Sequence, residues 1–232
     1  MPVLQPPNLI IVVSGPSGAG KSTLCDRYTE SAGDCELVIT ATTRKRRSNE
    51  VDGVDYHFLD RKEFERRIDQ DEFLEWAQVH GNYYGSPIAE VRRVTGANKD
   101  CILEIDVQGG LNVRRRFPTA VLVYVTPSDL TELFRRLRGR ATETEEDIQR
   151  RIANAKQELA ALPQYDYVLF NDKLELALGR MNEIVRTEKL RISRYANETL
   201  VDCFIKGAEK LCVGETARSA EPQAPADRRT AC

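Results

Sequence analysis

The sequence predicts an α/β fold in which a parallel β-sheet core is flanked by helices. Three observations carry that prediction. Short apolar runs recur along the chain, and each leads into a stretch with helical character. A Gly-rich turn separates the first run from its helix. Two polar stretches interrupt the rhythm without destroying it, so they read as insertions into one α/β domain.

Taken in order, Asn8–Val13 is a continuous run rich in Ile and Val, suited to a strand buried on both faces. The Gly-rich turn follows, and Lys21–Ser31 reads as a helix. Cys101–Ile105 and Ala120–Val125 are two further short strands, each followed by a helical stretch. Ser128 is placed to cap the second of these helices, whose Leu130, Leu133, Phe134 and Leu137 share one face. Tyr167–Phe170 is a fourth strand, ahead of a long helix from about Leu174. The first interruption, roughly 39 to 90, is polar with aromatics and turns. Within it Asp60 and Glu63 frame a capped helix carrying Phe64 and Ile68 on one face. The second, RGRATETEEDIQRR, is densely charged; Thr144 and Asp147 can cap a helix that continues through Ile148, Ile152, Ala155 and Leu159. The expected organisation is one domain with a core of about 8–38, 92–131 and 161–215, insertions at 39–91 and 132–160, and a disordered tail at 216–232.

Charge and composition narrow the function. Lys and Arg number 34 against 36 Asp and Glu, a net charge of −2, so the basic field of a general nucleic-acid binder is missing and anion recognition must be local. The six cysteines form no CxxC pair, which points to reduced thiols in a cytoplasmic protein rather than a zinc site or disulfide scaffold. No apolar run is long enough to span a bilayer, and the N-terminus does not read as a signal peptide. The expectation is a monomer or weak homo-oligomer that binds small molecules, with neither nucleic acid nor membrane as partner.

Gly15-Pro16-Ser17-Gly18-Ala19-Gly20-Lys21-Ser22, followed by Thr23, fits the pattern G-x-x-x-x-G-K-[ST]. Its glycines let successive N–H groups converge into a nest for phosphate oxygens. Lys21 can reach the β- and γ-phosphates, Ser22 can offer its hydroxyl to Mg²⁺, and the helix that follows presents its positive end. With a strand before and a helix after, the motif predicts a phosphate-loop NTPase fold. A metal-side acid should accompany it. CILEID places Glu104 and Asp106 at alternate positions where a strand ends, facing the same crevice in a parallel sheet. Ordinary polar residues at a strand end are the plain alternative.

The stretches GPSGAGKST, TTRKRR followed by EVDGVDYHF, FLEWAQVHGNYYGS, CILEIDVQG, RLRGRATETEEDIQRR and YDYVLFND resemble guanylate kinases, in that order, across roughly Leu9 to Ile192. The resemblance implies Mg-dependent transfer of phosphate from ATP to GMP, and to dGMP. It also implies that the insertion at 39–91 binds GMP and that the one at 132–160 is a lid. The residue chemistry is consistent with this. A nucleoside monophosphate is mostly dianionic near neutral pH, so the acceptor needs no general base. The two histidines, His57 and His80, accordingly read as surface or packing residues. The obstacle is repulsion between two polyphosphate anions, which positioned positive charge must overcome.

By resemblance, Arg44 and Arg47 hold the GMP phosphate with hydroxyl help from Tyr56 and Tyr84. Glu75 and Asp106 read the N1–H and N2–H₂ donors of guanine, with Thr40 and Ser86 supplying hydroxyls near the base. Arg136, Arg140 and Arg151 match the lid arginines that close on the ATP phosphates, Lys21 and Arg44 share the catalytic work, and Asn171 matches a residue near adenine. Ser22 and, through water, Glu104 would hold Mg²⁺. The sequence departs from the family pattern at Thr40 (often Ser), at Arg46-Arg47-Ser48-Asn49 (usually Pro-Arg-x-Gly), at Glu104 (often Asp) and at Ala141 (often Gly). Two alternatives stand beside the reading. One is a non-catalytic guanylate-kinase-like binding module, opposed by the intact phosphate loop. The other is a phosphate-loop kinase with a different acceptor, opposed by Glu75, Tyr84 and Ser86.

Overall fold

The computed structural model describes residues 7–79, 81–138 and 153–195. Asn8–Lys189 forms one unit; Pro7 and Leu190–Tyr195 belong to a second, whose described part is a 3₁₀ turn at Ile192–Arg194.

The first unit is built on a five-stranded parallel sheet of β1 (Ile10–Ser14), β2 (Cys35–Leu37), β7 (Asp100–Glu104), β8 (Val121–Thr126) and β9 (Tyr167–Phe170), in the order β2-β7-β1-β8-β9. The central strand β1 pairs in parallel with β7 and β8, aligning Val13 with Glu104 on one side and Val123 on the other. Ile11, Val12 and Val13 are fully buried because helices cover both faces. On one face, α1 (Lys21–Ser31) and α7 (Leu174–Lys189) pack Leu24, Tyr28, Ala177 and Met181 against Ile11 and Val13. On the other, α3 (Ile88–Gly96) and α4 (Val107–Arg116) bring Val91, Val94 and Val113 onto Val12, Leu103 and Leu122.

Among the described residues the four predicted strands are present, with ends shifted by up to two residues (β1, β7 and β8 run over 10–14, 100–104 and 121–126), and β2 is a strand the sequence did not predict. One cap differs. The helix after β8, α5 (Leu130–Arg138), is capped by Asp129, whose Oδ1 accepts from the Thr131 N–H at 2.8 Å, rather than by Ser128. The Ser128 N–H instead donates to Asp172 Oδ1. A carboxylate favours this end because it meets the helix dipole as well as the free N–H groups. Helical residues 153–159, α6, carry Ala155 against Leu133 and Leu159 against the cluster around Tyr124. Thr144, Asp147, Ile148 and Ile152, and the tail from 196 onward, lie outside the described residues.

The first interruption holds more regular structure than its polar sequence suggests. β3 (Ala41–Thr42), β4 (His57–Phe58), β5 (Phe73–Val79) and β6 (Asn82–Pro87) form a second, mixed sheet in the order β4-β3-β6-β5. Behind it, α2 (Arg61–Asp69) is capped as expected, with Asp60 Oδ1 accepting from the Glu63 N–H at 2.8 Å. Phe64 stacks on Phe73 and Tyr83 at centroid distances of 4.3 and 5.2 Å, the core of this sheet. The sheet ends at Pro87, and α3 already packs into the main core, so the change of layer falls before residue 91.

Candidate active site

The phosphate loop leaves β1 at Ser14 and enters α1 at Lys21. Gly15, Gly18 and Gly20 have φ of 143°, 85° and 81°, values that side chains rarely adopt. At Gly15 a Cβ would also lie 2.0 Å from the Val125 carbonyl oxygen, so the loop is pressed against the neighbouring strand. Lys21 Nζ donates to the carbonyls of Gly15 and Pro16 at 2.7 and 3.0 Å, curling over its own loop. Burial lowers the Lys21 pKa, and the nearby Glu104 works against that shift. Ser22 Oγ donates to Glu104 Oε1 at 2.6 Å, bringing a hydroxyl and a carboxylate together beside the loop. Burial pushes the Glu104 carboxyl up, as expected for an acid set deep in a cleft. Hard oxygen donors of this kind suit Mg²⁺, which takes few protein ligands and keeps waters and phosphates. Among the described residues no group of three or more His, Cys, Asp or Glu side chains could form an all-protein metal cage.

The ends of the main-sheet strands and one face of the small sheet line a single cavity of about 410 Å³. Gly15, Ser17, Lys21, Glu104 and Asp106 come from the first; Thr40, Tyr56, Glu75 and Tyr84 come from the second. β5 contributes Glu75, Ala77 and Val79 by strand alternation, while Trp76 and Gln78 face away and are exposed. A register shift between Phe73 and Glu75 sets that alternation and places Glu75 opposite Ser86. Ser86 Oγ donates to Glu75 Oε1 at 2.7 Å. Glu75 is therefore a buried strand residue, 6% exposed. Burial raises its pKa to about 7, against the hydrogen bond from Ser86, with Asp106 adding like-charge repulsion.

Asp106 has an additional role: its Oδ1 caps α4 by accepting from the Gly109 N–H at 2.7 Å. Tyr56 and Tyr84 meet edge to face at 6.3 Å between ring centroids, and burial raises the Tyr56 phenol.

The cationic run is organised by a residue the sequence did not single out. Glu50 takes a two-pronged hydrogen bond from Arg44, Nη1 to Oε2 at 3.0 Å and Nη2 to Oε1 at 2.8 Å. The same carboxylate accepts from the Arg47 N–H at 2.8 Å, and the Glu50 carbonyl accepts from Arg46 Nη1. These bonds, from Arg44 first, hold the Glu50 carboxyl down to about 2. Arg44 Cζ also lies 5.4 Å from the centre of the Tyr56 ring. Both arginines approach this carboxylate, Arg47 Nη1 at 3.8 Å from Oε1, but they differ in exposure: Arg44 is 18% exposed and Arg47 is 71% exposed.

Several expected site residues stand off the cavity lining. Arg136 is paired to Glu132 at 2.7 Å and reaches the Asn171 carbonyl at 3.3 Å. Asn171 is buried behind the phosphate loop. Arg140 and Arg151, with Ala141 and His80, lie outside the described residues. His57 is half-buried with Nε2 3.4 Å from Glu90 Oε1 and is not among the residues that line the cavity, in keeping with a packing role. Asn154 and Glu158 of α6 line the cavity although no motif marked them. Their helical spacing could have been extended to the cavity only with the path of the chain in hand.

A parallel sheet with this loop after its central strand, and an acid ending the adjacent strand, defines a phosphate-loop nucleotide-binding protein. The second sheet adds polar side chains, Thr40, Tyr56, Glu75 and Tyr84, to the same cavity. Comparisons with known proteins identify the family. The family model described as "Guanylate kinase" matches residues 8–188. The guanylate kinase of Desulfitobacterium hafniense (strain Y51) is 45% identical over 186 residues, covering 80% of this chain and 93% of that protein. That of Halalkalibacterium halodurans is 47% identical over 186 residues, covering 80% and 91%. The crystal structure of guanylate kinase from Anaplasma phagocytophilum aligns with a TM-score of 0.70 at 28% identity, covering 84% of this chain and 94% of that one. The chain belongs to the guanylate kinase family.

Proposed function

We propose that this chain transfers the γ-phosphoryl group of ATP to GMP or dGMP, releasing ADP and the nucleoside diphosphate. The observation that carries the reading is the single cavity in which the phosphate loop faces the buried Glu75–Ser86 pair. In the reaction a phosphate oxygen of GMP forms a bond to the γ-phosphorus while the bond to the β–γ bridging oxygen breaks. The acceptor is dianionic, so the protein supplies position and positive charge rather than a base.

In this reading the small sheet and its loops, about 39–91, hold GMP. Glu75, with Asp106, accepts from guanine N1–H and N2–H₂; Thr40 and Ser86 supply hydroxyls to the base. Arg44, Tyr56 and Tyr84 take the phosphate, with Arg44 held by Glu50, and Arg47 turns in from the surface. Lys21 leaves its loop carbonyls for the β- and γ-phosphates. Arg136, with Arg140 and Arg151 of a lid at about 132–160, closes on the ATP phosphates. Ser22 and Glu104 would hold Mg²⁺, which screens phosphate charge when bound. Closure excludes water, so phosphate passes to GMP instead of being hydrolysed.

An ADP-release assay with Mg·ATP and each of GMP, dGMP, AMP, CMP and UMP tests the reading. GMP and dGMP should be turned over far faster than the others. Absence of GMP turnover with GMP binding retained would establish a binding module, and preference for another monophosphate would overturn the guanine assignment.

A further inference from the structure

Asn171 follows β9 and is only 7% exposed. Its backbone N–H donates to the Thr126 carbonyl at 2.9 Å, extending the β8–β9 pairing past the end of β9. Its side-chain Nδ2 donates to two phosphate-loop carbonyls, Ala19 at 2.9 Å and Gly20 at 3.2 Å. Its own carbonyl accepts from Arg136 Nη1 at 3.3 Å. A Cβ at Gly20 would lie 2.6 Å from this Nδ2, so the close approach requires glycine there.

The direction of these bonds matters. In a trans peptide the C=O and the next N–H point opposite ways. Drawing the Ala19 and Gly20 carbonyls towards Asn171 therefore turns the Gly20 and Lys21 N–H groups to the other side, where the loop opens. The Gly20 carbonyl also takes the first helical bond of α1, from the Leu24 N–H at 3.1 Å, so its orientation is set from two sides.

We propose that Asn171 is a positioning residue for phosphoryl transfer. It holds the phosphate loop with its N–H groups turned to the nucleotide, and ties that loop to Arg136. The proposal rests on the phosphotransfer reading, and it differs from a contact to adenine in what its removal costs. A base contact acts only on donors that carry the base. A loop-positioning residue acts on any triphosphate.

The test is calorimetric titration of wild type and Asn171→Ala with Mg·ATP and, separately, with inorganic tripolyphosphate and Mg²⁺. Both should lose affinity by a similar factor of about tenfold, the effect of freeing the loop when the Ala19 carbonyl loses its side-chain donor and the Gly20 carbonyl keeps only the Leu24 N–H. GMP affinity should stay within about twofold of wild type, and kcat should fall because the phosphate loop loses its alignment, whereas the main-chain carbonyl that Arg136 contacts is kept. Asn171→Asp, which puts a carboxylate against the two carbonyls, should lose more than Asn171→Ala. Loss of ATP affinity with tripolyphosphate binding intact would replace the proposal with an adenine contact. Unchanged binding of both, or an equal loss of GMP affinity, would overturn it. If Asn171→Ala does not fold, Asn171→Ser keeps a shorter donor and carries the same comparison. Failure of wild type to phosphorylate GMP would sink the function while leaving the tripolyphosphate result to stand or fall alone.

Discussion

Glu75 sits in the small sheet with a pKa raised to about 7 by burial, and under the proposed function guanine needs it charged. The protonated acid offers its own O–H where guanine also offers donors. Binding therefore selects the carboxylate, and KM for GMP should rise about tenfold between pH 8 and pH 6, following the carboxylate fraction. In Glu75→Gln that dependence should flatten and discrimination against AMP should fall; a pH series of KM for both variants checks it, and an unchanged slope would remove Glu75 from the base site. The free protein has the opposite linkage. Between the unfolded carboxyl pKa of about 4.5 and the folded value of about 7 the native state holds the extra proton, so this group's contribution to stability declines as pH rises through the window. Glu50 makes a second prediction. Glu50→Gln keeps the shape but removes the charge that takes both prongs of Arg44, so KM for GMP should rise about tenfold with KM for ATP little changed. Equal KM values for GMP would show that Arg44 needs no such support. Lys21, Thr40, Tyr56, Glu75, Tyr84 and Asp106 were legible because motif and resemblance mark them individually. Glu50 was not, since in the sequence it is one more acid near arginines. Only the turn that folds the loop back makes it the common acceptor of Arg44 and Arg47.

The three inner strands of the main sheet, β1, β7 and β8, could be read directly, because burial on both faces leaves continuous runs such as ILEID's apolar start and VLVYV. The edge strand β9 was legible as a short apolar run, but β2, three residues at the other edge, was not read. β5 and β6 could not, because one face of their sheet lines a polar cavity and no apolar run survives. Their signal is the alternation of Glu75, Ala77 and Val79, shifted in register by the irregularity just before it. α4 holds this sheet at two points. Its last residue, Arg116, donates to the Phe73 carbonyl at 2.8 Å, and its first turn brings Gly109 against Glu75. A Cβ at Gly109 would lie 2.8 Å from Glu75 Oε2 and 3.3 Å from its Cδ. Gly109→Ala should therefore displace the carboxylate and weaken GMP binding about tenfold, while helix propensity favours Ala by about 1 kcal/mol and keeps the melting temperature near wild type. GMP titration together with thermal melting separates the two effects. Retained affinity would mean that the carboxylate has room to move, whereas a large fall in melting temperature would mean that the glycine serves packing alone.

At the scale of the whole Asn8–Lys189 unit, the two sheets bring donor and acceptor chemistry to one cavity, and each ligand should stabilise the fold through its own part. A ligand at one hundred times its Kd contributes about 2.7 kcal/mol to the native state. For a chain of this size each kcal/mol moves the melting temperature by about 2–4 °C, so GMP should raise it by roughly 5–10 °C. Lys21→Met should abolish turnover and most of the shift produced by Mg·ATP, because its amine is the loop's charge. The GMP shift should persist in that variant, since Glu75, Ser86 and Arg44 lie on the other sheet and its loops. At pH 6 the same GMP concentration should stabilise less by about 1.4 kcal/mol, as Glu75 must first give up its proton. Melting curves for wild type and Lys21→Met, with each ligand at both pH values, read all of these effects together. Loss of the GMP shift in Lys21→Met would show that the phosphate loop takes part in acceptor binding and that the division of labour between the two sheets is wrong.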